Sequence, residues 1–333
     1  MIWRAIGDGD LAACLSVDPA RTGEELVGHD RAIDVWSNLM QSCSFNAAVI
    51  EADPPIAGHR IVAFGASVFV SRAFAEQEIS NPRPGLNARI IASVDSGQPA
   101  VLNKAQLRSA NTKDGLDLVI LYPTWRKGLL NRQQISEAQM LLASSFLQDH
   151  LGFRLNRLIT EMLDDEERQS YAEATGVWRT VSDFGEFYSQ HPNTHWNRGR
   201  SLAVITRTEA FRVPGHIIAM LFQYCEPTLG LREADQHLLS AALTGQTDEE
   251  LAHSLGTRLP AVKKRWRSLF ELASDYANLF PDMGDGSEDA GRGRQKRQFI
   301  LQYVREHPEE LRPFEHKSGL RSATRPGLPA QDR

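Results

Sequence analysis

The stretch LREADQHLLSAALTGQTDEELAHSLGTRLPAVKKRWRSLFEL, Leu231 to Leu272, decides how the C-terminal part of this chain folds. Its apolar residues recur at helical spacing in three blocks: Leu238, Leu239, Ala242 and Leu243; Leu251, Ala252 and Leu255; Leu259, Val262, Trp266 and Leu269. Thr247 and Glu250 stand at the spacing of a capping box, which starts a helix. Gly256 follows Leu255, where a helix ends in a left-handed residue, and Pro260 falls in the first turn of the next helix, where its missing N–H breaks no bond. The turn between them, Gly256-Thr257-Arg258, is short. Five cations, Arg258, Lys263, Lys264, Arg265 and Arg267, occupy ten residues with no acid among them. The pattern predicts three short helices on a small core, the third with a cationic outer face, as when a helix enters the major groove of DNA. The plainer reading of the same charges is a solvated amphipathic helix. On the DNA reading the four cations from Lys263 to Arg267 divide between phosphate and base-edge contacts. Val262 and Leu269 belong to the core, and the Trp266 indole either anchors that core, the favoured reading, or lies beside the sugar-phosphate backbone.

The run resembles the LuxR-type helix-turn-helix. Leu231 matches that family's opening Leu, and Asp235 takes the place of its Glu. Gly245, Thr247, Glu250, Leu251 and Ala252 match the middle stretch, Leu255 and Gly256 follow in register, and Val262 and Lys263 match the Val-Lys of the recognition helix. The sequence departs at Glu233, where the family has Pro, at Thr257-Arg258 and at Ala261. The resemblance implies binding of double-stranded DNA, usually as a homodimer on an inverted repeat.

At 333 residues the chain is too long for one ordinary core, so two domains are expected. A hydrophobic content of 41% and a charged content of 24% are those of a globular protein, and no apolar run is long enough for a membrane span. The opening MIWRAIGDGDLAACL has early acids and no basic n-region, unlike a signal peptide. Cys14, Cys43 and Cys225 are odd in number and far apart, which suits a reducing cytoplasm. Residues 229–333 balance their acids and bases, so the net charge of −5 lies before them, on a part poorly suited to DNA.

In that earlier part Ile2 to Ile6 reads as a strand, Leu11 to Leu15 and His29 to Cys43 as helices, and Phe45 to Ala52 and Arg60 to Ser71 as strands. Leu116 to Tyr122 is apolar throughout save Asp117, as at a sheet centre. A long helix follows from Gln133 to His150, then a strand from Arg154 to Thr160, a helix from Asp164 to Ala174 and a strand from Val177 to Val181. Ser201 to Thr206 and His216 to Tyr224 read as paired strands that extend the sheet.

The opening IWRAIGDGDLAACL and the stretch RLITEMLDDEERQSYAEATGVWRTVSDF, with Tyr171 and Gly176, resemble the GNAT acetyltransferase fold. The fold class expected is therefore α+β: a GNAT-like mixed sheet flanked by helices, followed by an all-α LuxR-type domain. That family holds the acetyl-CoA pyrophosphate on a glycine-rich turn opening the long helix. Here the loop reads PTWRKGLLNR, Pro123 to Arg132, with Arg126 and Gly128 wrongly spaced and Leu130 where a small residue is needed. Arg126, Lys127 and Gly128 are the candidate cofactor-binding residues. Glu51, Asp53 and Glu161 lie near strand ends, but none is assigned as a base and no catalytic residue is named. His191 and His195 in SQHPNTH share a spacing of four, yet Pro192 and the lack of a third ligand point to a loop, so no metal site is assigned.

The expected organisation is a GNAT-like sensing or dimerising domain over residues 1–225 and a DNA-binding domain over 229–280. A Gly-rich acidic linker over 281–293 and a C-terminal helix with disordered tail over 294–333 complete it. The function expected is that of a cytoplasmic transcription regulator responding to a small effector. The alternative is an active acetyl-CoA-dependent N-acetyltransferase with an appended module.

Overall fold

The computed structural model describes residues 1–18, 29–97, 100–163, 176–191, 199–276, 279–280 and 290–315. The chain divides into two units, Met1–Glu226 and Pro227–Arg333.

The first unit is a seven-stranded mixed sheet flanked by helices. Its strands are β1 (Ile2–Ala5), β2 (Phe45–Ile56), β3 (His59–Val70), β4 (Leu116–Trp125), β5 (Leu155–Met162), β6 (Arg179–Asp183) and β7 (Ser201–Thr206), in the order β1-β2-β3-β4-β5-β7-β6. Every neighbouring pair is antiparallel except β4 and β5. A parallel pair cannot be closed by a tight turn, and the crossover here carries the longest helix of the unit. The helices, in chain order, are α1 (Leu11–Leu15), α2 (His29–Met40), α3 (Arg72–Ser80), α4 (Leu86–Asp95), α5 (Lys104–Thr112), α6 (Arg132–His150), α7 (Gly185–Gln190) and α8 (Arg207–Ala210).

Successive strand residues face opposite sides of the sheet, which accounts for two cores. Val49, Phe64, Val119, Ile159 and Val204 pack with Trp36, Leu39 and Ile90 from α2 and α4. Their neighbours Leu118, Leu158 and Ile205 join Leu107 of α5, with Phe146 of α6 packed against them, while Ile50 meets Ala138 and Leu142 of α6. The near-continuous apolar strands follow from burial on both faces. Asp117 is the exception within β4. It is buried and takes two hydrogen bonds from Arg157, at 2.7 and 2.9 Å, across the parallel pair in which the two residues are partners.

Three helices, α3 to α5, stand between β3 and β4, where no helix is predicted from the sequence. The strand expected over His216 to Tyr224 is instead a 3-10 helix, Ile217–Phe222. A strand there could not pair with β7 as expected, because β7 already pairs with β5 on one side and β6 on the other. Gly215 at φ +76° turns the chain, and Leu221 and Phe222 enter the core instead. The helix expected over 164–174 lies outside the described residues, as does Tyr171.

The second unit has helices and no strand among its described residues: α9 (Glu233–Ala242), α10 (Asp248–Ser254), α11 (Leu259–Asp275), α12 (Ala290–Glu306) and a 3-10 turn, Pro308–Leu311. The punctuation acts as the sequence implies. Thr247 Oγ1 accepts from the Glu250 amide at 3.3 Å, and the Glu250 carboxylate accepts from the Thr247 amide at 2.7 Å. Gly256 is left-handed at φ +58°, and Pro260 lies in the first turn of α11.

The C-terminal helix packs on the helices of residues 229–280. Ile300, Leu301 and Val304 of α12 are buried in one core with Leu238, Leu251, Val262, Trp266 and Leu269. Each such side chain contributes about 1.5–3 kcal/mol when buried, so α12 belongs to the domain. Glu310 adds a closure: its carboxylate accepts from the Thr228 and Leu229 amides at 2.7 and 3.1 Å, joining the start of the unit to its end. Of the linker expected over 281–293, residues 290–293 are helical and 281–289 lie outside the described residues. The tail beyond residue 315 also lies outside them.

Candidate functional site

The cationic helix α11 buries Val262, Trp266, Leu269 and Ala273 and exposes Lys263, Lys264 and Arg267, with Arg258 exposed at its N-cap. Trp266 sits in the core, as expected, with only 4% of its surface exposed. Arg265 is half-buried on the flank of the helix, where its Nη1 lies 3.5 Å from Asp235 Oδ1 of α9. Three residues after Val262 and beside Trp266, it faces the neighbouring helix.

The order of charges along α11 opposes its dipole. The cations fill its first half, while Glu271 and Asp275 come late, with no acid in the first turn and no base in the last. A helix N-terminus favours acids and the C-terminus cations, by about 0.3–1 kcal/mol each. Only Arg258 at the N-cap and Asp275 at the last residue stand close enough to the ends to be opposed in this way, and Lys263 to Arg267 lie beyond the first turn, where the effect has faded.

Sequence reasoning missed Arg297 of α12. Its guanidinium lies 4.5 Å from the Trp266 ring centroid, and it donates to Asp248 Oδ1 at 2.8 Å and to the Gln246 carbonyl at 3.0 Å. One side chain thus links α12, α11 and the start of α10. Nothing in the local sequence announces it, because its partners stand 31 to 51 residues away.

In the first unit the loop before α6 does not fit a pyrophosphate. The Arg126 guanidinium donates to the carbonyls of Ile61 and Ser16, both at 3.0 Å, and to Ser16 Oγ at 2.8 Å, so it anchors the end of α1. Burial lowers its pKa. Leu130 is buried against α6. Asn131 and Gln134 form a reciprocal capping box at 2.9 and 3.0 Å, which occupies amides an anion would need. Gly128 has φ +84° and open space around it, and Lys127 is exposed.

The gap between β4 and β5 is also filled by the chain. Their pairing ends at Ile120 and Thr160, after which β4 stays with β3 through a bulge at Leu121 and β5 stays with β7. The start of α4 enters this divergence. Glu161 accepts from the amides of Gly85 and Leu86, both at 2.7 Å, and Asn87 Nδ2 donates to the Leu121 carbonyl at 2.5 Å. Gly85 has no side chain with which to cap α4, so Glu161 serves instead. Its burial raises the carboxyl pKa, and the two amides oppose that rise. Gly199 packs so closely that a Cβ there would stand 1.8 Å from Glu161 Oε1.

Of the other acids near strand ends, Glu51 accepts from Arg4 at 2.7 Å and Arg60 at 3.2 Å, which with Arg4 foremost hold its pKa low. Asp53 is exposed on the β2–β3 hairpin. Among the described residues no His, Cys, Asp and Glu side chains gather as a metal site, and His195 lies outside them. Among them, too, no helix is long and apolar enough to cross a membrane. No protein-family model matches this chain, and no curated protein matches it.

Proposed function

We propose that this protein is a transcription regulator whose second unit inserts α11 into the major groove of double-stranded DNA. The observation that carries this reading is the exposed set Lys263, Lys264 and Arg267 on a helix anchored by Val262, Trp266 and Leu269. Phosphates facing them would bind by charge, with an affinity that falls as salt rises. The LuxR-type resemblance of Leu231 to Leu272 and the capped short helix of α10 support the same reading. One such helix reads a single half-site, so the active form in this reading is a homodimer on an inverted repeat.

The first unit acts here as a GNAT-like domain that senses an effector or joins two copies, in the cytoplasm. A mixed sheet with one parallel pair and a long crossover helix supports that kinship. Arg126 bound to carbonyls, the self-capped α6 and the filled β4–β5 gap weigh against acetyl transfer. Selection of bound fragments from genomic DNA tests the regulator directly, and a shared inverted repeat is the expected result. Replacing Lys263, Lys264 and Arg267 together by Ala should abolish that binding with helical content unchanged. Retention of full binding by this variant excludes α11 as the reading helix.

A further inference from the structure

The cations of α11 are not equivalent, because its buried side fixes the direction of each side chain. Val262, Trp266, Leu269 and Ala273 are the buried residues of the helix. Successive residues turn by about 100°, so Lys264 and Glu271 point about 170° from the mean direction of those four, Arg267 about 130° and Lys263 about 90°. Burial agrees. Lys263, Lys264, Arg267 and Glu271 are exposed, whereas Arg265, about 70° from the same direction, is half-buried. Lys263 and Arg267, four residues apart, share a row on one flank of the helix. The outermost row holds Pro260, Lys264 and Glu271, all exposed. Pro260 offers no side-chain hydrogen bond, and phosphates repel the Glu271 carboxylate. Glu271 therefore disfavours approach by the second half of α11, and the helix meets the duplex with its first half, where the cations lie.

We infer that Lys264 is the specificity-determining residue of the DNA contact, donating to the O6 and N7 acceptors of a guanine, while Lys263 and Arg267 bind phosphates along one wall of the major groove. This rests on the regulator reading and names the side chain that reads sequence within it. Guanine follows from the chemistry, since an ammonium has donors only and guanine presents two adjacent acceptors in the major groove. Side chains on the flank meet the sugar-phosphate wall first, and contacts there carry no base information.

The test repeats the selection of bound fragments with Lys264→Gln, Lys264→Met, Lys263→Gln and Arg267→Gln, each in the full chain, and measures affinity for the selected duplex against NaCl concentration. All three positions are exposed, so the thermal unfolding midpoint should stay the same. Lys264→Gln should move the preference at one position of each half-site from guanine to adenine, because a Gln amide pairs with adenine N6 and N7. Lys264→Met has no donor and should lose about tenfold in discrimination at that position. Lys263→Gln and Arg267→Gln should keep the selected sequence, and each should reduce the slope of log K against log salt by about 0.9. A guanine retained by Lys264→Gln, or lost in either flank variant, overturns this assignment and leaves the regulator reading standing. Absence of any binding by the unaltered chain at low salt overturns the regulator reading and this inference with it.

Discussion

Glu161 illustrates how one buried side chain decides a local arrangement. It lies on β5 at the point where the sheet parts, caps α4 through two amides, and has Gly199 pressed against it. Gly199→Ala must displace the carboxylate and should cost about 2 kcal/mol, because buried amides lose their acceptor. In a chain already carrying Glu161→Ala the same substitution should cost little, since nothing remains to displace. Urea unfolding of the two singles and the double measures this, and additive losses would show that Gly199 matters for another reason. Residue chemistry was unevenly legible in the sequence. The capping pair Thr247 and Glu250 is local and reads correctly, whereas Glu161 takes its partners 75 and 76 positions away, which no spacing rule reaches. Arg265 looks like its cationic neighbours until Asp235 is found beside it.

Among the elements, those with strong periodicity were recognisable before folding. The helix predicted from Gln133 spans Arg132–His150, and the three short helices of the second unit fall where their apolar residues and caps require. The helices α3 to α5 were missed because their nine or ten residues alternate small, polar and apolar side chains without a long stripe. The apolar run around Ile217 to Phe222 misled in the other direction, since a strand and a short helix bury such a run equally well. Arg297 joins three elements at once, and its removal should be felt in all of them. Arg297→Ala should destabilise the second unit by about 2 kcal/mol through the lost stacking and charged hydrogen bonds. Hydrogen exchange of the amides from Leu259 to Asp275 should accelerate accordingly. Unaltered protection across α11 would mean that the contact with Trp266 contributes nothing to holding it.

For the molecule as a whole, the chain divides between Glu226 and Pro227, and the second unit takes in α12. A fragment of residues 227–280 lacks Ile300, Leu301 and Val304 and leaves Trp266 without Arg297. It should melt without a cooperative transition, while a fragment of 227–315 should unfold in one step, as circular dichroism against temperature will show. Cooperative melting of the shorter piece would return α12 to the status of an appendage. Caps, the cationic run and the strongly periodic helices depend on neighbours within a turn or two, and so could be inferred from residue order alone. The partners of Glu161, Arg126, Arg265 and Arg297 could not, because contacts between distant segments exist only once burial has brought them together. Packing therefore decided which charges bind the protein to itself and which remain turned outward.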